Sequence, residues 1–337
     1  MIERREVSML QDGYGRKIDY LRLAVTDRCN LRCTYCMPQQ GLDWLPRNEL
    51  MRYEEMKRIC SLLIAMGIRK IRITGGEPFI RKGMLPFLDD LSKSGGLEQL
   101  TITTNGVLTA PLIPALKKMG IRSVNLSLDT LDEDRFVAIA KRNELSRVLE
   151  TLDQLLYHGI EVKINTVVME DYNIADLIPL VRLTKSLPLS VRFIEEMPFN
   201  GGGDRPKTLH WNHVRIFNTI KDHFPDIQKI YDPPHATANS YHIPGHRGNV
   251  GIIAAYSRIF CGSCNRIRIT ARGVFKTCLY DGGSLNVKDI MRGGVDDEGL
   301  ETLLKGAILK KAKDGFVAAQ QRHGATPGRE SMATIGG

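Results

Sequence analysis

The stretch Thr26-Asp27-Arg28-Cys29-Asn30-Leu31-Arg32-Cys33-Thr34-Tyr35-Cys36 determines how the rest of the chain is interpreted. Its cysteines have the spacing C-x3-C-x2-C and follow an apolar run, residues 20–25, that predicts a first β-strand. Three thiolates on one short loop indicate a metal site. A structural zinc ion takes four ligands, whereas a cubic iron-sulfur cluster held by three cysteines keeps one iron open. A zinc loop with a fourth ligand from elsewhere is the alternative.

Strand-like and helix-like segments alternate from this loop to about residue 195. Strands are predicted at 20–25, 70–74, 100–104, 123–128, 162–168 and 191–194, and helices at 53–66, 84–93, 110–119, 146–158 and 174–185. This α/β alternation predicts a parallel sheet, either open and doubly wound or barrel-like, with chemistry at the carboxyl ends of the strands. Cys60, inside the first predicted helix, is expected to be a buried apolar residue.

Polar signatures follow five of the six predicted strands. After the cysteine loop come Gly75-Gly76-Glu77-Pro78, Thr103-Thr104-Asn105-Gly106, Ser127-Leu128-Asp129 and Glu195-Glu196-Met197-Pro198. Any one of these is more often a turn or a helix cap than a ligand contact. Because the carboxyl ends of parallel strands share one edge, the five together predict a single site.

A second cysteine group, Cys261, Cys264 and Cys278, lies beyond residue 198 in a part of the chain with glycine- and proline-rich loops. These loops predict a separate C-terminal layer. The group again offers three thiolates with no obvious fourth ligand. A zinc knuckle completed by His246 or Asn265 is the alternative, although neither residue has ordinary zinc spacing.

The charge of the chain favours an anionic partner, either a phosphorylated small molecule or a nucleic acid, and does not by itself choose between them. The chain has 337 residues, a formal charge of +9 and no stretch long enough to span a membrane, and its N-terminus lacks an apolar signal region. We therefore expect a cytoplasmic protein, in which clustered cysteines are metal ligands rather than disulfides. A zinc-bearing nucleic-acid binder is disfavoured because only 7% of residues are aromatic and no arginine-rich tract is present.

The first cysteine loop, with Tyr35 before its last cysteine, and the Gly75-Gly76-Glu77-Pro78 segment resemble the radical S-adenosylmethionine enzymes. The resemblance implies that a [4Fe-4S] cluster binds S-adenosylmethionine through its open iron, and that one-electron reduction gives a 5′-deoxyadenosyl radical. The residues agree with this, since Gly75 and Gly76 allow backbone groups to approach a ligand closely. Glu77 or neighbouring carbonyls can accept a hydrogen bond from an ammonium group.

Together with Phe260-Cys261-x2-Cys264-Asn265-Arg266-x-Arg268 and a terminal Gly-Gly, these motifs are similar, nearly end to end, to the GTP 3′,8-cyclase family of molybdenum cofactor biosynthesis. The similarity implies an incomplete six-stranded (β/α)6 TIM-like barrel at residues 1–198, a C-terminal extension with a second [4Fe-4S] cluster at 199–320, and a tail at 321–337. It implies that the radical takes the C3′ hydrogen of GTP and that C3′ attacks guanine C8. The expected partners are a reducing electron donor and, downstream, cyclic pyranopterin monophosphate synthase; a homodimer is compatible with the sequence.

The same similarity assigns roles to individual residues. The implied cluster ligands are Cys29, Cys33, Cys36, Cys261, Cys264 and Cys278; the implied contacts to S-adenosylmethionine are Tyr35, Gly76, Ser127 and Met197; and those to GTP are Arg22, Arg72, Thr103, Lys163, Arg266 and Arg268. Arginine and lysine complement a triphosphate. Arg22, Arg72, Lys163 and Arg192 also interrupt apolar strands, which burial disfavours without a bound anion or an acidic partner. An outward-facing position or an internal salt bridge is the alternative for each.

Three points stay open at this level. A radical S-adenosylmethionine peptide maturase with an auxiliary cluster is the alternative function, although such enzymes commonly have a longer cysteine-rich extension. The Gly-Gly tail could thread a narrow pocket beside the substrate or be a frayed terminus. Residues 140–143 and 200–203 depart from the usual text of the family, which leaves the loop contacts there undecided.

Overall fold

A single mixed β-sheet organises the computed structural model, which describes residues 10–38, 41–199, 209–322 and 330–336. Within these ranges the sheet has twelve strands in the order β12-β11-β10-β1-β2-β3-β4-β5-β6-β9-β8-β7. The strands are β1 (Tyr20–Ala24), β2 (Lys70–Thr74), β3 (Gln99–Thr104), β4 (Ser123–Ser127), β5 (Glu161–Val168), β6 (Ser190–Glu195), β7 (Gln228–Lys229), β8 (Ala238–His242), β9 (Asn249–Ile253), β10 (Arg266–Ile269), β11 (Val274–Lys276) and β12 (Leu285–Asn286).

The six predicted strands are confirmed as β1 to β6, and they pair in parallel in the order of the sequence. A consecutive order is that of barrel-type winding, whereas a doubly wound sheet reverses its order at a switch point. The helices are α1 (Tyr53–Ala65), α2 (Met84–Ser92), α3 (Ile113–Lys118), α4 (Glu133–Ala140), α5 (Leu145–Tyr157), α6 (Leu177–Ser186), α7 (His213–His223), α8 (Val287–Arg292), α9 (Asp297–Leu309), α10 (Gly315–Gln320) and α11 (Met332–Ile335).

The C-terminal part of the chain extends this sheet at both edges, so the expectation of a separate layer is wrong. β10 pairs in parallel with β1, and β9 pairs in parallel with β6. The antiparallel pairs β11–β12 and β8–β7 then lie outside them. The edges of β1 and β6 would otherwise present unpaired backbone groups, which these strands satisfy. The second cysteine group therefore reaches the sheet next to the first strand.

Apolar residues at helical spacing build the outer layer of the core. In α5, for example, Leu145, Val148, Leu152 and Leu155 are buried on one stripe of the helix. Cys60 is fully buried in the core cluster, as expected. None of the helices in the described ranges has the length and apolarity needed to cross a membrane. The family departure at 200–203 lies outside the described residues.

Candidate functional site

One cavity of about 680 Å³ contains every site residue proposed from the sequence. Its walls come from the inward-facing side chains of the parallel strands, from both cysteine loops and from the C-terminal tail. The proposed residues that line it are Tyr35, Gly76, Ser127, Met197, Arg22, Arg72, Thr103, Lys163, Arg266, Arg268, Cys29, Cys33, Cys36, Cys261, Cys264 and Cys278. Residues that are far apart in the sequence therefore share one enclosed space.

The two cysteine groups lie at opposite ends of the parallel strands. The first group follows the carboxyl end of β1. Cys264 precedes β10, which runs parallel to β1, and Cys278 follows the antiparallel β11, so both flank the amino end. Strands of this length span about 15 Å. The first group thus lies at the carboxyl ends, where the strand-end signatures were expected to gather, and the second group lies at the amino ends.

The first cysteine loop is partly buried and is held by its neighbours. Cys29, Cys33 and Cys36 are free thiols. The backbone N–H of Cys36 donates to the carbonyl of Cys33 (2.9 Å), and Asn105 Nδ2 donates to Cys29 Sγ (3.5 Å). Burial raises the pKa of Cys29 to about 11 and the pKa values of Cys33 and Cys36 well above the ordinary range. Three thiolates in so dry a pocket need the positive charge of a metal centre.

The glycine pair after β2 lies directly against this loop. Gly76 N–H donates to the Thr26 carbonyl (2.9 Å), and Glu77 N–H donates to the Arg28 carbonyl (2.8 Å). A Cβ atom on Gly76 would lie 2.2 Å from the Arg28 carbonyl oxygen. Glycine is therefore required because two backbone segments touch here.

The Glu77 side chain does not face the cavity, so its proposed role as an ammonium acceptor is not supported. Its carboxylate accepts hydrogen bonds from the Asn105 backbone (2.8 Å) and from Thr104 Oγ1 (2.9 Å). Burial raises the pKa of Glu77 to about 7. Glu77 therefore links the ends of β2 and β3 beneath the cysteine loop. Of the two acceptors considered for the ammonium group, only the neighbouring backbone carbonyls remain.

Tyr35 and Asp129 form the wall beside the first cysteine group. Asp129 is buried and accepts a hydrogen bond from the Val167 backbone (2.8 Å) and one from Tyr35, while burial raises its pKa to about 7. Burial also raises the pKa of Tyr35. The carboxyl group thus fixes the tyrosine ring at the cavity surface.

Five cations on adjacent strands line the middle of the cavity; we call them the basic wall, and they are Arg22, Lys70, Arg72, Arg266 and Arg268. Arg22 lies opposite Arg72 on β2 and opposite Arg268 on β10. Burial and the neighbouring cations lower the pKa of Arg72 to about 10 and that of Arg268 to about 9. Arg22 Nε is buried and has no hydrogen-bond partner among the described residues. A polyanion would relieve this repulsion.

On the facing wall, Lys163 and Arg192 have different surroundings. Lys163 Nζ lies 2.7 Å from a Glu161 carboxylate oxygen, so the internal salt bridge considered for it is present. Arg192 Nε is buried, and within the described ranges it has no partner. Gly251 on β9 lies opposite Arg192, and a Cβ there would come within 3.2 Å of the Arg192 side chain. The glycine leaves space for the guanidinium group.

Two cations, Lys311 and Arg16, hydrogen-bond to the backbone around the second cysteine group. Lys311 Nζ donates to the carbonyls of Arg266 (2.9 Å) and Thr277, and Arg16 Nη1 donates to the carbonyl of Cys261 (3.1 Å). Burial alone would raise the pKa of the Cys264 thiol, but Lys311 and Arg266 outweigh it and lower that pKa to about 7. The surroundings therefore favour a thiolate at Cys264, whereas burial raises the pKa of Cys261 and that of Cys278.

Of the two fourth ligands considered for zinc at the second cysteine group, the structure places His246 away from the cavity and Asn265 beside it. His246 Nδ1 is 2.8 Å from Thr184 Oγ1, and His246 does not line the cavity. Asn265 lines the cavity; its Nδ2 donates to Asp19 (2.6 Å), but its buried Oδ1 has no partner within the described ranges, so Asn265 stays open as a fourth ligand. In the described ranges no three His, Cys, Asp or Glu side chains converge on one ion position. A cubic cluster does not need such convergence, because each thiolate binds a different iron.

The C-terminal tail packs inside the cavity region, so the frayed-terminus alternative is wrong for residues 330–336. Gly336 carbonyl oxygen accepts from Arg268 Nη1 (2.8 Å), and Ser331 Oγ donates to the Cys36 carbonyl (2.5 Å). Gly336 has a φ of 81°, and a Cβ there would lie 2.6 Å from Thr74 Oγ1. The tail thus joins the first cysteine loop to the basic wall; Gly337 lies outside the described residues.

Several cavity residues were not found from the sequence, namely Tyr20, Lys70, Asn125 and Asn165, while Asp129 and Arg192 were noted there without an assigned ligand. Asn125 and Asn165 each have a buried side-chain oxygen without a partner in the described part of the chain. A signal was present, since polar residues recur at alternate positions of β4 and β5. Applying the two-residue period to every strand would have placed them on the cavity face.

Comparisons with known families match nearly all of the chain. The Radical SAM superfamily model matches residues 23–184, and the Molybdenum Cofactor Synthesis C model matches residues 189–317. The chain is similar to Streptococcus suis SuiB in fold, with a TM-score of 0.61 at 15% identity over 93% of this chain and 76% of that one.

Curated relatives give a closer match. The chain is 39% identical to a protein named GTP 3′,8-cyclase, mitochondrial, of Arabidopsis thaliana over 90% of this chain and 78% of that one. It is 37% identical to a GTP 3′,8-cyclase of Clostridium perfringens over 90% and 93% of the two chains. It spans only 56% of Molybdenum cofactor biosynthesis protein 1 of Drosophila melanogaster, at 38% identity. The chain therefore belongs to the radical SAM superfamily and, within it, to the GTP 3′,8-cyclase family.

Proposed function

We propose that this chain is a radical S-adenosylmethionine enzyme that converts GTP to (8S)-3′,8-cyclo-7,8-dihydroguanosine 5′-triphosphate, an early step of molybdopterin biosynthesis. One observation carries the proposal: a single cavity has a three-cysteine group at each end of its strands and a basic wall between them. This arrangement puts a site for radical chemistry and a second metal site at opposite ends of strands about 15 Å long, with cations between them. In this proposal the chain has three parts. They are a partial (β/α)6 barrel at residues 1–198, a C-terminal extension with the second cysteine group at 199–320, and a tail at 321–337.

The first cysteine group fits a [4Fe-4S] cluster because three partly buried thiols share a pocket and no fourth protein ligand is needed. When bound and reduced, such a cluster supplies the electron that cleaves S-adenosylmethionine to the radical that takes the C3′ hydrogen. Tyr35, Gly76, Ser127 and Met197 line the adjoining part of the cavity and would bind S-adenosylmethionine. Gly76 contributes by having no side chain, since its backbone lies against the cysteine loop.

The basic wall, with Thr103, Lys163 and Arg192, would bind the triphosphate of GTP. Arg22 and Arg192 each have a buried Nε without a protein partner in the described ranges, and guanidinium groups pair with phosphate oxygens in a bidentate way. Holding the phosphates fixes the ribose relative to the first cysteine group, which is the proximity that hydrogen abstraction requires.

The second cysteine group fits a second cluster whose open iron would hold the guanine base. Lys311 and Arg16 bind the backbone of the cysteine-bearing segments and complement the net negative charge of such a cluster. The tail residues Met332 and Ala333 line the same cavity and would help to exclude water from the reaction.

The proposed setting follows from the same residues. All seven cysteines are free thiols, which fits a reducing compartment such as the cytoplasm. The reaction needs a reducing electron donor, and its product would pass to cyclic pyranopterin monophosphate synthase. Assembly as a homodimer stays a prediction.

The direct test uses anaerobically reconstituted protein. We expect about eight irons per chain and formation of 5′-deoxyadenosine and a cyclised nucleotide only when S-adenosylmethionine, reductant and GTP are all present. Cys264→Ala should lose about half of the iron, whereas Cys60→Ala, a matched control at a cysteine outside both groups, should keep it. Absence of GTP-dependent 5′-deoxyadenosine would contradict the proposal, and release triggered by a peptide instead of GTP would favour the maturase alternative.

A further inference from the structure

Tyr20 lies at the centre of the basic wall. It begins β1, is only 6% exposed and lies opposite Lys70 on β2 and Arg266 on β10. Lys70 Nζ is 5.1 Å from the centroid of the Tyr20 ring, and the guanidinium carbons of Arg72 and Arg266 are 5.5 Å and 5.8 Å from it. All three distances are within the range of cation–π attraction.

These three cations have no carboxylate partner within the described ranges. Lys70, Arg72 and Arg266 take part in no ion pair there, and burial lowers the pKa of each. Like charges so close together repel one another in a low-dielectric cavity. The negative face of the Tyr20 ring is the feature that attracts all three and offsets part of this repulsion.

The Tyr20 hydroxyl is itself unsatisfied. Its oxygen is buried and has no hydrogen-bond partner in the part of the chain that the structure describes, although the residue lines the cavity. Buried hydroxyl groups are nearly always paired in native proteins. An orphan hydroxyl between cations therefore indicates a ligand that brings acceptor oxygens, and phosphate is the ligand that the surrounding charge selects.

We propose that Tyr20 is a polyphosphate-binding residue, whose ring keeps Lys70, Arg72 and Arg266 side by side before the ligand arrives and whose hydroxyl donates a hydrogen bond to a phosphate oxygen. This inference rests on the proposed function for the identity of the ligand, a nucleoside triphosphate. The recognition chemistry belongs to the polyphosphate chain alone, so inorganic tripolyphosphate is a sufficient probe.

The electrostatics of the phenol agree with this role. Burial raises the pKa of Tyr20, but Arg72, Arg22, Lys70 and Arg266 together outweigh burial and lower it to about 8. At neutral pH the phenol is still protonated and can donate. The same positive field that lowers the pKa of the phenol also attracts a polyanion.

The test compares three variants in the reconstituted holoenzyme by calorimetric titration with tripolyphosphate and with GTP. Tyr20→Phe keeps the ring and loses the hydroxyl, so we expect both ligands to bind about tenfold more weakly or worse, the loss typical of a hydrogen bond to a charged group. Tyr20→Leu also removes the ring and should bind still more weakly. Tyr53→Phe is the matched control, because Arg81 lies 4.3 Å from the Tyr53 ring and Tyr53 does not line the cavity. This control should bind as the unmodified chain does.

Each outcome decides a part of the inference. Unchanged tripolyphosphate affinity in Tyr20→Phe would overturn the role of the hydroxyl, and equal affinities of Tyr20→Phe and Tyr20→Leu would overturn the role of the ring. Iron content and thermal unfolding identify a misfolded Tyr20→Leu, in which case the isosteric Tyr20→Phe alone decides. If the unmodified chain binds tripolyphosphate through Tyr20 but forms no cyclised nucleotide, the proposed function fails and this inference stands. If GTP is cyclised and Tyr20→Phe keeps full affinity for tripolyphosphate, the proposed function stands and this inference fails.

Discussion

Replacing Gly76 by alanine would separate the first cysteine loop from the strand end that supports it. The new Cβ would lie 2.2 Å from the Arg28 carbonyl oxygen, so the two backbones would have to move apart by about 1.2 Å to reach the 3.4 Å of an ordinary contact. The atoms that this Cβ would meet belong to the backbone of Arg28 and Asp27, which cannot turn away as a flexible side chain could. The hydrogen bonds from Gly76 N–H to Thr26 (2.9 Å) and from Glu77 N–H to Arg28 (2.8 Å) would lengthen with this movement.

Overpacking of this kind costs about 1–3 kcal/mol, and each weakened hydrogen bond adds about 0.5–1.5 kcal/mol. The fold should survive, because most of its core lies in the strands and helices, but the spacing of Cys29, Cys33 and Cys36 should change. We therefore expect Gly76→Ala to hold about four irons per chain instead of about eight, with the second group intact.

The assay is iron content with electron paramagnetic resonance of the reduced protein after anaerobic reconstitution. Gly95→Ala is the matched control, since a Cβ there meets nothing within 4 Å and its φ is not in the left-handed region. A Gly76→Ala protein with full iron content and normal 5′-deoxyadenosine formation would refute the argument that this backbone contact sets the geometry of the cysteine loop.

Three further predictions concern Lys311 beside the second cysteine group, Gly336 in the tail, and Tyr20 in the basic wall. Lys311→Met leaves two buried carbonyls without their donor, at about 1–3 kcal/mol each, and should lose the second cluster's resonance signal while keeping the first. Gly336→Ala places a Cβ 2.6 Å from Thr74 Oγ1, so we expect 5′-deoxyadenosine formation with GTP to fall more than tenfold at unchanged iron content. Because the lowered pKa of Tyr20 is about 8, its phenolate forms above that pH and repels phosphate. Tripolyphosphate affinity should then fall by up to about tenfold per pH unit relative to Tyr20→Phe, and parallel pH profiles would contradict this.

The parallel strands were predictable because each is a short apolar run next to a turn signal. β2, for example, is bounded as predicted at Lys70–Thr74. The pairing of β9 and β10 with the two edges of the sheet could not be predicted. β10 pairs with β1 across about two hundred and forty positions of sequence, and a local pattern carries no information about so distant a partner. The position of the second cysteine group at the amino end of the strands follows from that pairing and was missed with it.

Short helices, and roles that depend on contacts between several strands, could not be predicted for similar reasons. α4 has only eight residues, although Asp132 caps it by accepting from the Arg135 N–H. The cysteines and the basic strand positions were found because motif and burial arguments apply to one residue at a time. The role of Tyr20 depends on cations from two neighbouring strands, and only the folded sheet brings them to its ring.

The most direct test of the central claim uses GTP labelled with deuterium at C3′, incubated with reconstituted protein, S-adenosylmethionine and reductant. In the proposed function, a basic wall between the two cysteine groups holds the triphosphate so that the ribose would lie within reach of the first group. We expect deuterium to appear in 5′-deoxyadenosine and the nucleotide product to lack it at C3′. Unlabelled 5′-deoxyadenosine formed together with a cyclised product would contradict the proposed abstraction.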